Sequence, residues 1–309
     1  MASTLETCAN TAARPASPSA GDTLYQIDTK QIITYDGSAW RVYNSDGSVG
    51  YDLDGTRILS VAPILHLDAE KVNGADASGN PSNAAAFTGQ WVSLYGNNST
   101  LAQGTAGKQP TYYTSGENSK AYLDFDGGDD LFLTERLYLQ GDFTAILIGQ
   151  SGGGNFSPWG TSGKDFSDAS FSPISTLNLG GAGIFTGRTN DILMFYNDSS
   201  PSGYPGISSH PTGKDFHSET RNLIFKRTGS AASLFFDGDN TSATASSTSY
   251  ADIRVGDIGR DWYLSTTGKI YEMIVFNSAL SDADLNIWNA YVTARYAAGT
   301  GAMEAQDDF

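Results

Sequence analysis

The sequence predicts an all-β protein with one short helix near the C-terminal end of the chain, and three patterns carry that expectation. Residues 268–276 (GKIYEMIVF) alternate with both faces largely apolar. Ile270, Glu272, Ile274 and Phe276 fall on one side and Tyr271, Met273 and Val275 on the other, as in a strand inside a two-layer β structure. Residues 143–149 (FTAILIG) form an unbroken apolar run, the mark of a strand covered on both faces. Elsewhere, short apolar runs recur between Asp-Gly and Gly-Ser breaks, where glycine supplies the positive φ that a tight hairpin needs.

The 309 residues suffice for one large β domain with an appendage. Charged residues make up 17%, against about a quarter in ordinary globular chains, and the 35 glycines indicate long connections. A net charge of −16 argues against a nucleic-acid partner, because affinity for phosphate backbones is built on clustered Lys and Arg. Cys8 is the single cysteine, so neither a disulfide framework nor a cysteine-based metal site is expected. Residues 1–20 lack the basic start and apolar core of a secretory leader, and no run approaches the ~20 apolar residues of a membrane span. The expectation is folding in a reducing cytoplasm, with the sequons at Asn98, Asn155, Asn197 and Asn240 unused.

In chain order, residues 1–20 are rich in Ala, Ser, Thr and Pro without periodicity and read as an extended arm. Residues 21–60 read as a small antiparallel meander, with runs at 23–27, 31–35, 39–43 and 49–53 divided by Asp36-Gly37, Asp46-Gly47 and Asp54-Gly55. Its apolar stock (Leu24, Ile27, Ile33, Tyr35, Trp40, Val42) is thin, so the module should lean on a partner surface. Residues 57–63 look like a linker, and deleting residues 1–59 is expected to leave a soluble, folded main domain that no longer joins particles or oligomers. The main domain, 61–297, opens with a strand at 64–69, in which His66 reads as a satisfied core residue. A strand–turn–strand follows at 120–133 (KAYLDFDGGDDLFL). Long Gly/Ser/Pro segments at 151–172 and 198–218 then flank candidate strands at 176–179 and 191–196. Runs 222–227 and 233–237 pair around Gly229-Ser230, and 253–258 leads to the closing strand. Asn277-Ser278 breaks that strand. Ser281 is placed to cap a helix, with Asp284 three residues on and a stripe of Leu285, Trp288 and Val292, flanked by Ile287 and Tyr291, facing a sheet. Residues 298–309 are an acidic tail.

Several of these strings occur together in one known family. The motifs ILHLDA at 64–69, Gln109-Pro110-Thr111-Tyr112, KAYLDFDGGDDLFL, the Gly229-Ser230 hairpin, and GKIYEMIVFN followed by ALSD resemble the laminin-G-like, concanavalin A-like jelly roll of phage and bacterial surface proteins. The string PASPSAGDTLYQIDTKQIITYDGSAWRVY resembles N-terminal modules of phage fibre and head-appendage proteins. The resemblance implies a concanavalin A-like jelly-roll β-sandwich in a non-enzymatic virion protein, assembled in the host cytoplasm. Such a protein displays a lectin-like domain on the particle surface as a head decoration, knob or fibre. Implied partners are other virion proteins, reached through the arm and module, further copies of the chain, and host surface glycans. A head position is favoured, since long trimerising repeats are missing. The alternatives are a tail-fibre receptor-binding protein and a polysaccharide-degrading enzyme of the same fold.

The chemistry in the sequence is sparse. Relatives that cleave β-glucans carry E-x-D-x-x-E, which sets an acid and a nucleophile on one strand face. Glu272 stands alone here, and no catalytic residue is assigned. Neither G-x-S-x-G, H-E-x-x-H nor a P-loop occurs. His210 and His217 have neither cysteine nor a spaced acidic partner for zinc. The acidic run from Asp124 fails as a calcium loop, because Asp129 occupies the position that calls for Gly, and the family motif accounts for it as a turn. Laminin-G relatives nonetheless bind calcium at rim loops, which leaves Asp126, Asp129 and Asp130 as candidates. For glycans, aromatic platforms with neighbouring amides are the required chemistry, and the long segments supply Asn155, Trp159, Tyr204 and Trp262.

Overall fold

The computed structural model describes residues 6–9, 13–26, 31–35, 37, 40–43, 49–74, 77–87, 89–95, 100–127, 131–139, 142–152, 184–186, 193–195, 219–229, 231–240, 253–258 and 267–296. The expected strand at 176–179 lies outside these residues.

The N-terminal unit is a six-stranded sheet formed in sequence order by β1 (Glu6–Cys8), β2 (Thr23–Gln26), β3 (Gln31–Tyr35), β4 (Trp40–Tyr43), β5 (Val49–Asp52) and β6 (Ile58–Leu59). Strands β2 to β5 follow the expected runs, and Gly37 and Gly55 adopt φ of +102° and +86° at their turns. Two features differ from the sequence reading. The arm contains β1, which pairs in parallel with β2 and buries Cys8 against Leu24, Ile33 and Ile58. The stretch taken as a linker contains β6, which pairs with β5 and buries Leu59 completely.

The main domain is a sandwich. Its strands are β7 (Leu65–Asp68), β8 (Ala85–Ala86), β9 (Gln90–Val92), β10 (Thr100–Ala102), β11 (Thr111–Tyr113), β12 (Tyr122–Asp126), β13 (Leu131–Leu139) and β14 (Phe143–Ser151). They continue with β15 (Ile184–Thr186), β16 (Leu193–Phe195), β17 (Arg221–Thr228), β18 (Ala231–Phe236), β19 (Asp239–Asn240), β20 (Ile253–Ile258) and β21 (Thr267–Phe276), closed by helix α1 (Asp282–Tyr296). The large sheet runs β19-β18-β17-β14-β21-β12-β11-β8, with β7 pairing the far half of β21 beside β12, and the facing sheet runs β20-β13-β10-β9. Strands β15 and β16 form a separate hairpin. The expected all-β sandwich with one C-terminal helix and a preceding antiparallel meander is what the described residues form.

The domain has three layers. Leu65, Leu67, Phe125, Leu147, Phe225, Met273 and Val275 of the large sheet meet Trp91 and Leu101 of the small one. On the opposite face, Ile146, Ile148, Ile224, Ile274 and Phe276 lie under Leu285, Trp288, Tyr291, Val292 and Tyr296 of α1. The central strands are therefore apolar on both faces, as their sequence demanded.

Strict alternation along β21 fails at one residue. Ile148 pairs with Glu272 while the next residue, Gly149, pairs with Ile270, so Tyr271 is the extra residue of a β-bulge. Side chains on either side of the bulge change phase. Ile270 joins Met273 and Val275 in the sandwich core, whereas Tyr271 joins Ile274 and Phe276 beneath α1.

Helix α1 starts as its cap residues dictate. The amide of Asp284 donates to Ser281 Oγ at 3.1 Å, and that hydroxyl donates to Asp284 Oδ2 at 2.7 Å. The same carboxylate accepts from the amide and hydroxyl of Ser60, each at 2.6 Å. Tyr51 and Leu59 of the N-terminal sheet are themselves part of the helix-side core. The N-terminal unit is thus built into the sandwich, which changes the truncation outcome. Deleting residues 1–59 removes two buried side chains from under α1, each of which on truncation costs about 2–5 kcal/mol in a core. We expect the shortened chain to melt well below the full chain by circular dichroism, and Leu59→Ala alone to lower stability by about 2–4 kcal/mol; a truncated chain as stable as its parent would show the seam to be dispensable.

Candidate functional site

One end of the sandwich collects the segments that carry the candidate binding residues. Asp126 ends β12 opposite Thr267, which begins β21. Ser151 ends β14 opposite Gly268, and Gly149 sits opposite Arg221, the first residue of β17. In the facing sheet, Leu131 begins β13 opposite Ile258, the last residue of β20. Residues 127–130, 152–220 and 259–266 therefore all join strand ends at this rim.

The strand ends at the rim are firmly held. The Gly152 amide donates to the Thr267 carbonyl at 2.7 Å. A Cβ at Gly152 would stand 2.9 Å from Thr267 Cγ2, so the close approach itself calls for glycine. At the other root, Arg221 is buried, donates to Asp237 Oδ2 at 2.8 Å and pairs with Glu219. Asp237 adopts φ of +51° and accepts the Asn222 amide at 2.8 Å. No motif pointed to this ion pair. Its only signal was an Asp-Gly turn at 237–238 following a strand with a basic first residue.

Of the sequence candidates, Asp126 is described: it is exposed at the rim, two residues beyond half-buried Asp124. Burial pushes the Asp124 carboxyl up, Lys269 draws it back down, and Asp126 pushes it up further. Asp129, Asp130, Asn155, Trp159, Tyr204 and Trp262 lie outside the described residues, as do His210 and His217. Among the described residues, no group of three or more His, Cys, Asp or Glu side chains is arranged to hold a metal ion.

A dense titratable cluster lies elsewhere, sealed between α1 and the large sheet. Glu272 is 1% exposed. Its carboxylate accepts from Tyr291 Oη at 2.9 Å and Tyr296 Oη at 2.8 Å, and lies 2.7 Å from His66 Nε2. A carboxylate can only accept, so Nε2 carries the proton and donates to Glu272, while Nδ1 lies 2.5 Å from the Tyr51 hydroxyl. Arg295 lies 3.8 Å from Glu272 through Nε, and its Nη2 donates to both Asp68 oxygens at 2.7 Å and to Glu70 at 3.0 Å. Burial alone would raise the Glu272 carboxyl. The Arg295 charge and the His66 and Tyr296 hydrogen bonds instead hold it down at about 2. The same burial, together with the Glu272 charge, pushes the Tyr291 and Tyr296 phenols well above their usual 10.

This arrangement suits a structural charge and not a catalytic one. A general acid needs a raised carboxyl open to substrate, and Glu272 is ionised and closed off. His66 is the satisfied core residue that the sequence suggested. The folded state holds the Glu272 carboxyl below its ordinary 4.5, so the stabilisation is fully present above that pH and is lost as pH falls towards about 2. Its size is on the order of 3 kcal/mol. In urea melts at pH 6 and pH 2, Glu272→Gln should be clearly less stable than the parent at the higher pH, and the gap should narrow by about that amount at the lower. A gap independent of pH would place the ionised carboxylate elsewhere.

No family model matches the chain, and no curated protein matches it. Solved structures with a similar arrangement of strands include domain 4 of a GH43 extracellular arabinanase from Geobacillus stearothermophilus in complex with arabinotriose. That match has 15% identity, a TM-score of 0.44, and coverage of 72% of this chain and 96% of that one. An arabinofuranosidase complexed with arabinofuranosyl-α-1,2-xylobiose matches at 12% identity and TM-score 0.49, over 82% of this chain and 57% of that one. The ligand-binding domain of botulinum neurotoxin serotype D in complex with N-acetylneuraminic acid matches at 14% and 0.44, over 78% and 54%. The chain spans little more than half the length of the latter two. These neighbours are carbohydrate-binding or glycan-active proteins, and likenesses this loose carry no residue correspondence.

Proposed function

We propose that the chain is a non-enzymatic display protein of a phage particle, with a sandwich that recognises host surface glycans through the loops of one rim. The observation that carries this reading is the connection between β14 and β17. These strands are adjacent and antiparallel, with Gly149 opposite Arg221. About 70 residues join ends that a hairpin loop of about two to five would close. The fold does not need so long a connection, and it leaves the rim beside the Asp126 turn and the 259–266 connection. Asn155, Trp159 and Tyr204 belong to it, and Trp262 to its neighbour, which supplies stacking rings and an amide on segments that can vary without disturbing the core. Calcium held by Asp126, Asp129 and Asp130 would order the turn between them.

The N-terminal unit is the attachment side. Ile32, on β3, is 46% exposed, the large apolar side chain most open to solvent among the described residues. An apolar position on a small sheet suits contact with another virion protein or a further copy of the chain. The sealed state of Glu272 and the missing E-x-D-x-x-E favour binding over hydrolysis.

The test uses the full chain, presented multivalently on a glycan array of host surface polysaccharides, because single sites of this kind bind weakly and gain through avidity. Trp159→Ala and Trp262→Ala, checked for fold by circular dichroism, should each lower binding about tenfold or more. Unchanged binding by both would remove the rim from the account. Release of reducing sugar from any array polysaccharide would replace the display reading with an enzymatic one. Mass spectrometry of purified particles should detect the chain, and its absence would end the virion assignment.

A further inference from the structure

The outer face of the large sheet carries a second surface, in the band between the end of α1 and the rim. Helix α1 folds back over β21 from the far end of that strand, and its last residue, Tyr296, meets Tyr271 edge-on with ring centroids 5.9 Å apart. One step nearer the rim, on the same face, strand register sets four polar residues in a row. Gln150 is opposite Lys269, Lys269 opposite Asp124, and Asp124 opposite Thr111, across β14, β21, β12 and β11. All four are half-buried. Along the helix side of the row, the rings of Tyr113 and Tyr122 stack at 5.0 Å and 16°, and Lys269 Nζ stands 5.2 Å from the Tyr122 ring centre. Tyr122 is buried and Tyr113 half-buried, so Tyr113 is the ring with surface to offer.

The geometry of the row selects its ligand. Adjacent strands are about 4.8 Å apart, so the row presents one hydrogen-bonding side chain per strand over roughly 14 Å. That spacing is close to the length of one residue in an extended sugar chain. An amide, an ammonium, a carboxylate and a hydroxyl in sequence offer donors and acceptors to successive sugar hydroxyls, and Tyr113 beside them offers an apolar surface for C–H groups. Charge excludes extended polyanions. Asp124 and nearby Asp126 outnumber Lys269, and the chain carries −16 overall, so nucleic acids and uronate or sulfated glycans are repelled.

We propose that this band binds an uncharged, extended oligosaccharide of about three to four residues, lying across β14, β21, β12 and β11. The proposal rests on the glycan-binding reading above and adds to it a second surface and a dependence on chain length.

The experiment titrates the full chain with cello-, laminari-, chito- and malto-oligosaccharides from one to six residues, by calorimetry and by amide and side-chain chemical shifts. For at least one series, affinity should rise at least tenfold from the disaccharide to the tetrasaccharide and then level off. Resonances of Lys269 and Tyr113 should move along with it. The double variant Asp124→Asn/Lys269→Gln should lose about tenfold in tetrasaccharide affinity. Thr111→Val, nearly the same shape, serves as the second variant should the first misfold, and should lose at least threefold. Parental affinity in these variants for every probe, while Trp159→Ala and Trp262→Ala lose binding, would overturn the band and leave the rim reading standing. A parent that binds none of the four series would overturn the band, and failure on the host-polysaccharide array as well would overturn both.

Discussion

The buried ionised side chain of Glu272 ties together the parts of this molecule that are furthest apart in sequence. It receives hydrogen bonds from Tyr291 and Tyr296 of α1 and from His66 of β7, and it faces the guanidinium of Arg295. A carboxylate left alone in such a place would be protonated or would open the fold, since desolvation of a charge costs several kcal/mol. Here its acceptor sites are filled and its charge is matched, so the strand and helix can close over it. The bulge at Tyr271 makes this possible, because it brings Tyr271 and Glu272 in succession to the helix side of the sheet. His66 then passes the tie on to Tyr51 of the N-terminal sheet.

That closure divides the molecule by role. The far part of the large sheet's outer face lies under α1, with the N-terminal unit seated against the helix through Ser60, Leu59 and Tyr51. What remains is the opposite end, where the β12 turn, the long β14–β17 connection and the β20–β21 connection emerge together from strands fixed by Gly152, Arg221 and Asp237. A rigid root beneath variable segments is the usual way a sandwich presents binding groups. The same division explains why the densest cluster of titratable groups among the described residues is unsuited to chemistry: it has been used to hold the fold shut.

Much of this was legible in the sequence, and the failures share one cause. The Ser281–Asp284 cap, the apolar stripe of α1 and the doubly buried β14 are local patterns, and each appears as its spacing required. The bulge was not legible, because Ile-Tyr-Glu-Met reads as plain alternation and only the β14 register reveals the extra residue. Strand β1 was missed because Glu6-Thr7-Cys8 has no periodicity of its own and is a strand only through its pairing with β2. The supposed linker was misread for the same reason: Ser60 finds its partner, Asp284, more than two hundred residues away. For the site, the sequence could nominate Asp126 and the aromatic residues of the long segments by chemical type. The Arg221–Asp237 root and the cross-strand row of Gln150, Lys269, Asp124 and Thr111 exist only once strand register is known.

The central claim is that the charge on Glu272 is energetically coupled to that on Arg295 and is more than a bystander in a well-packed core. A double-mutant cycle measures this directly, with stabilities of the parent, Glu272→Gln, Arg295→Met and the double variant obtained from urea unfolding at neutral pH. The account predicts a coupling of about 2 kcal/mol or more, with the double variant less damaged than the two single losses summed, because each single change leaves an opposite charge buried without its partner. Losses that add to within about 0.5 kcal/mol would contradict it and would assign the closure of α1 to apolar packing alone.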